Sequence, residues 1–264
     1  MRTIDEVIYG EKSICGPVRT ENEDTYICIP EIGFFLVSDG MGGLPGGADT
    51  AKVFADAMKN RIENAYEIIR SEVSSDKKVE TAAKVLLNSV KELSQIFYLL
   101  GNVSGRNVYG ATVVAVWFVN DKAIIVNAGD SKAFEITCKG ISQISKTHNL
   151  AEVMVELGQL SKEDAQTHPA ANQLVQFIGC NPKQLDPYLF ITNISDGDEI
   201  LLCTDGLSNH VSEKELYDLA VDNEPEDAVE KMVQAAVNND SHDNITAVLI
   251  KCVLENVNDD SNGD

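Results

Sequence analysis

The sequence is short of cations: Lys and Arg together number 21 against 42 Asp and Glu, a formal charge of -21, with a pI near 4.4. A chain this acidic repels phosphate backbones and anionic lipid heads, which excludes nucleic acid and membrane surfaces as partners. Long apolar runs are also missing. No segment approaches the roughly 20 apolar residues of a membrane span, and the opening MRTIDEVIYG has no leader-like stretch, so a soluble, unprocessed protein is expected. Nor are there closely spaced cysteines. Cys15, Cys28, Cys138, Cys180, Cys203 and Cys252 stand apart, mostly in apolar runs, a pattern that argues against zinc and for reduced thiols in the cytosol.

What is present is enough for one sizeable core: 264 residues, 44% of them hydrophobic. A single domain over 1–253 is expected, followed by a polar, disordered tail at 254–264. Residues 6 to 37 read as short strands, with TYICIP and GFFLV the clearest. Ala51, Phe54, Ala55, Met58, Ile62 and Ala65 recur at helical spacing from Ala48 to about Ile69. Ala82, Val85, Leu86, Val90, Leu93 and Phe97 do the same from about Lys78 to Leu99. GATVVAVWFV, KAIIVNAG and KAFEIT then predict an antiparallel meander. The stretch 146–185 has little strand character and reads as an inserted flap, in which Ser161 and Asp164 resemble a capping box. Strand, helices from about Ser212 and Pro225, and a last strand at NITAVLIKCV complete the chain.

SDGMGGLPGG, Ser38 to Gly47, has the strand, glycine loop and helix order of a dinucleotide-binding turn. Asp39 would there face a pyrophosphate, and Pro45 stands where that fingerprint needs its third glycine. A different partner suits the carboxylate. Asp39 follows FFLVS, Asp205 follows ILLCT, and Asp243 precedes NITAVLI. Carboxylates at the rigid ends of buried strands can converge on one point, and a hard divalent cation relieves their repulsion. Oxygen donors without cysteine or paired histidine suit Mg²⁺ or Mn²⁺. Glu23 and Asp24 add two candidates, and Arg19 is a guanidinium able to fork onto a phosphate. Together they suggest metal-assisted phosphoester hydrolysis. The plain alternative is that these aspartates are turn residues or helix caps, Glu23 and Asp24 a solvated loop, and Arg19 a surface ion-pair partner.

RTENED, SDGMGG, GATVVAV, NAGDSKAF, CTDGL and HDNIT, in this order, resemble the metal-dependent protein phosphatases of type 2C, particularly the compact bacterial ones. The resemblance implies an α+β fold, an α-β-β-α sandwich of two antiparallel sheets with helices outside and metals at one edge. It implies hydrolysis of protein phosphoserine and phosphothreonine by water bridging two divalent cations about 3.5–4 Å apart. It would make Asp39 the bridge between two ions, Gly40 carbonyl and Glu23 ligands to one, and Asp205 and Asp243 ligands to the other. Asp24 would support them from behind, Asp130 would hold a third ion with Asp205, and Arg19 would grip the substrate phosphate. The glycines at 40, 42 and 43 then form a tight turn that brings a carbonyl to the metal. The expected partners are phosphorylated proteins and a serine/threonine kinase of the same cell; a cytoplasmic monomer is expected.

Three positions depart from patterns in the family. Met41 follows the Asp-Gly pair where some relatives have a histidine that can protonate the leaving group, Lys132 replaces the commoner arginine of GDSR, and Gln176 replaces a frequent arginine. Of His148, His168, His210 and His242, only His242, beside Asp243, suggests a role at the site. Two other readings are a metal-binding scaffold without turnover and a phosphatase dedicated to one regulatory protein. The scaffold's best calcium-loop match, NDDSNG from Asn258, lacks a closing glutamate, and relatives dedicated to one regulator generally lack the arginine matched by Arg19.

Overall fold

The computed structural model describes residues 4–41, 47–104, 110–165 and 167–254. In chain order the strands are β1 (Ile4–Ile14), β2 (Asp24–Ile29), β3 (Phe34–Asp39), β4 (Val113–Val119), β5 (Lys122–Ala128), β6 (Lys132–Thr137), β7 (Gly140–Gln143), β8 (Tyr188–Asn193), β9 (Glu199–Cys203) and β10 (Ile245–Leu254). One antiparallel sheet has the order β2-β3-β4-β5-β8 and the other β1-β10-β9-β6-β7. Helices α1 (Gly47–Ser71) and α2 (Ser75–Ser104) cover the first sheet. The short α3 (Leu150–Glu156), α4 (Lys162–Ala165) and α5 (Asp205–Ser208) precede α6 (Glu213–Val221) and α7 (Pro225–Asn238), which cover the second.

The run FFLV shows why the layers form. Successive strand side chains point to opposite faces, so Phe34 and Leu36 pack against α1 and α2 while Phe35 and Val37 enter the space between the sheets. Val116, Ile125, Ile200, Leu202, Val248 and Ile250 fill that same space. Each such side chain contributes about 1.5–3 kcal/mol on burial. On the helical layers, Ala51, Phe54, Ala55, Met58 and Ile62 of α1 and Leu86, Val90 and Phe97 of α2 form the buried faces that their spacing predicts.

The predicted meander is corrected in its third strand. β4 and β5 form a hairpin, but β6 crosses to the other sheet and pairs with β7 and β9. The turn responsible contains Gly129 at φ +116, where a Cβ would come within 2.7 Å of Thr112. Only glycine turns the chain there without strain. Between β7 and β8 lie α3, α4 and a 3-10 turn, Pro169–Asn172, around a small cluster of Ala151, Ala165 and Ala170. Ser161 does cap α4: its hydroxyl accepts from Asp164 N at 3.1 Å and donates to the Asp164 carboxylate at 2.6 Å. The tail at 255–264, including the Asn258 segment, lies outside the described residues.

Candidate active site

β3 delivers Asp39 to the end of its sheet, and the antiparallel register places Asp24, the first residue of β2, directly opposite. Asp39 is pinned on both sides by Thr112: Thr112 N donates to Asp39 O at 2.8 Å, and Asp39 N donates to Thr112 Oγ1 at 3.0 Å. The same hydroxyl meets Ser131 Oγ at 2.6 Å, tying Asp39 to the Asp130 turn. Gly40 N then donates to Glu23 O at 3.0 Å. A Cβ on Gly40 would lie 2.5 Å from the Gly47 carbonyl, so the start of α1 closes on this turn because Gly40 has no side chain. Gly42, Gly43 and Pro45 lie outside the described residues.

From the other sheet come Asp205, which opens α5 just after β9, and Asp243, just before β10. Asn209 donates to the Asp205 carboxylate at 3.3 Å. Asn244 clamps the third approach: its Oδ1 accepts from Glu23 N at 2.9 Å and its Nδ2 donates to Glu21 O at 3.0 Å. Two glycines let this loop sit close, since a Cβ at Gly16 would stand 1.9 Å from Asp243 O and one at Gly206 2.0 Å from Asn244 O. Arg19 donates to Asp243 Oδ2 at 2.8 Å, with both side chains part-exposed.

The carboxylates feel one another. Asp39 is pushed well above the usual carboxylate range by burial, reinforced by Asp24, Asp205, Asp130 and Asp243. Burial raises Asp24 to about 7 against the pull of Thr246 and Thr204. Asp130 also rises to about 7, through burial and then Asp205. Asp205 rises through burial and Asp243, and Glu23 through burial with Arg19 opposing. Asp24, Asp39, Asp130 and Asp205 all keep some solvent contact at the mouth of the site while protein surrounds them on most sides, so water softens these effects without cancelling them. Lys132 partly offsets the charge of Asp205 and Asp130. Among the described residues, no group of three Asp, Glu, His or Cys side chains is already placed to hold a metal ion. The donor set nevertheless fits a hard divalent cation: all oxygen, rich in carboxylates, with Asp24 Oδ1 buried and accepting from no N–H or hydroxyl among the described residues while the Asp24 and Asp39 carboxyls lie in reach of each other.

The remaining singled-out residues divide. His242 is exposed, and the histidine built into the turn beside the site is instead His148, whose Nδ1 accepts from Gly129 N at 3.3 Å. Burial holds His148 down at about 4, so it is neutral there. His168 accepts from Ala170 N at the 3-10 turn, and His210 adds a field that favours ionised Asp205. Met41 N donates to Gly110 O at 3.0 Å. Gln176 accepts from Asp186 N at 2.7 Å, a loop contact. The sequence reading missed Thr112, Ser131, Thr204, Thr246 and Asn244, although each lies inside or beside a motif that it quoted.

A family model described as protein phosphatase 2C matches residues 21–249. The chain belongs to the protein phosphatase 2C family. Among its relatives, the serine/threonine phosphatase Stp of Listeria welshimeri is 26% identical over 217 residues, covering 82% of this chain and 83% of that protein. The crystal structure of Stp1 from Staphylococcus aureus, 27% identical, superposes with a TM-score of 0.82 over 97% of this chain and 98% of that one. The catalytic domain of PstP, solved in complex with two manganese ions, shares the fold at 21% identity and a TM-score of 0.78, covering 96% of this chain and 100% of that one. Membership in the protein phosphatase 2C family makes this chain a protein phosphatase, and the sandwich expected from the motifs is the one observed.

Proposed function

We infer that the chain hydrolyses phosphoserine and phosphothreonine esters of proteins with two Mn²⁺ or Mg²⁺ ions, as a cytoplasmic signalling enzyme opposing a serine/threonine kinase. The observation that carries this reading is the facing pair Asp24 and Asp39, each raised by burial and by neighbouring carboxylates. Gathering like charges this way is costly unless a cation is held there. PstP, of the same fold, holds two manganese ions.

In this reading Asp39, Glu23 and the Gly40 carbonyl would hold one ion, Asp39, Asp205 and Asp243 the other, and Asp130 with Asp205 a weaker third. Such ions, when bound, neutralise phosphoryl charge and lower the pKa of water toward neutrality. The protein's own part is to hold these oxygens in place through Thr112, Asn244 and Asp24. Arg19 sits at the same rim and presents its guanidinium to two phosphate oxygens, exchanging or sharing its contact with Asp243. Met41 offers no proton for the departing alkoxide, unlike the histidine that some relatives carry at this place.

Phosphate release from a phosphothreonine peptide, followed with added Mn²⁺ and with EDTA, tests the reading. Turnover with Mn²⁺ that EDTA abolishes supports it. Folded protein inactive across Mn²⁺ and Mg²⁺ titrations overturns it.

A further inference from the structure

Asp24 belongs to one sheet, but the hydroxyls that grip it come from the other. Thr246 of β10 donates to Asp24 Oδ2 at 2.7 Å, and Thr204, just after β9, donates to the same oxygen at 2.9 Å. Both hydroxyls have settled directions. Thr204 Oγ1 accepts from Thr246 N at 3.0 Å, so its single proton is left for Asp24. Thr246 Oγ1 lies 2.7 Å from Ser13 Oγ, and because Thr246 gives its proton to Asp24, Ser13 must be the donor in that pair. Ser13 Oγ in turn accepts from Asn22 Nδ2 at 2.9 Å, while Asn22 Oδ1 accepts from Asp24 N at 3.2 Å. The ring closes on Asp24.

One oxygen of Asp24 therefore takes two hydroxyl protons, and the other, Oδ1, is buried and accepts from no N–H or hydroxyl among the described residues, the Asp39 carboxyl being the one group in hydrogen-bonding reach of the Asp24 side chain besides the two threonines. A latch serving only to fasten the sheets would satisfy both oxygens, because a buried acceptor left unpaired is costly. The asymmetry points to a carboxylate held by its back so that its front can accept from something at the Asp39 end of the site.

We propose that Thr204 and Thr246 are positioning residues for cation binding: they fix Asp24 through Oδ2 and leave Oδ1 as the acceptor for the hydration shell of a bound divalent ion. The inference rests on the two-cation reading above. Ser13 and Asn22 extend it, since they orient the Thr246 hydroxyl without touching the carboxylate. Outer partners of this kind change metal affinity about 10–100-fold when removed.

The test is Mn²⁺ binding to metal-free full-length protein, measured from free Mn²⁺ by electron paramagnetic resonance, with no substrate present. Thr246→Val, which keeps the shape and removes the hydroxyl, is expected to weaken binding about 10-fold, and Thr246→Ser to stay within about 2-fold of the parent. Ser13→Ala, one step back in the ring, is expected to weaken binding by a smaller factor with Asp24 untouched, which keeps the test valid if Thr246→Val folds poorly. Parent-like binding by both Thr246→Val and Ser13→Ala, or equal losses in Thr246→Val and Thr246→Ser, overturns the proposal alone. A folded parent that binds no Mn²⁺ overturns the two-cation reading and this proposal with it.

Discussion

Asp24 and Asp39 face each other as the first residue of β2 and the last of β3. Both are carboxyls that bind protons more tightly folded than unfolded, Asp24 near 7 and Asp39 well raised, with Asp130 also near 7. The native metal-free protein then holds more protons than the unfolded chain between pH 4 and 7. Stability is full below the unfolded carboxylate range and falls as pH rises through the folded values. In EDTA, the melting temperature is expected to drop by on the order of 5 °C between pH 5 and pH 8. Asp130→Asn should flatten that decline. A melting temperature independent of pH across this window would show that the carboxylates titrate normally.

If two ions share Asp39 as proposed, removing it should cost more than removing a carboxylate at the rim. Asp39→Ala and Asp205→Ala are each expected to lower turnover by about 10²-fold or more, because the charge neutralisation at the phosphoryl group goes with the ion. Phosphate release at saturating Mn²⁺ measures this. Near-parental rates in either variant would take that residue out of the site.

Arg19 should behave differently. Its guanidinium is part-exposed and bound to Asp243, and in the proposed reading it would hold substrate in ground and transition states alike. Arg19→Ala is expected to raise KM for a phosphothreonine peptide about 10-fold with kcat changed little. Arg19→Lys should recover only part of the loss, since an ammonium cannot fork onto two oxygens. A purely kcat effect would assign Arg19 to orienting Asp243 instead.

Gly206 packs its bare Cα against Asn244 O. Adding one methyl must push the Asp243–Asn244 segment outward, since the clash is with backbone. Gly206→Ala is expected to reduce activity about 10-fold or more while circular dichroism stays native, and to raise the Mn²⁺ concentration needed. Full activity in this variant would mean that the position of Asp243 is not critical.

Much of the architecture was legible because it is periodic. The helical spacing of Ala51, Phe54, Met58 and Ile62 marked the buried face of α1, and FFLV marked a strand buried on both sides. Asp39, Asp205 and Asp243 were visible as acids at strand ends, and the fold does bring those ends together. What stayed hidden depends on pairing across long separations. Nothing local in KAFEIT says that it leaves the neighbouring hairpin for the opposite sheet, because its alternation fits either. Thr204, Thr246 and Ser13 look like ordinary strand residues until Asp24 arrives between them from a distant segment. His242 drew notice by adjacency, yet it faces solvent. His148, remote in sequence, reaches the Gly129 turn.

The pairing of β1 with β10 runs from Ile4 opposite Leu254 to Ile14 opposite Ile245. Nine residues of strand put the Ile4–Leu254 rung about 30 Å from the acidic end. A linker from Leu254 back to Ile4 would thus have little distance to bridge, so a circular permutant opened at a surface turn should fold with its carboxylates in place. A module inserted at Ile4 or at Leu254 would emerge beside the other strand end, about 30 Å from the acidic end.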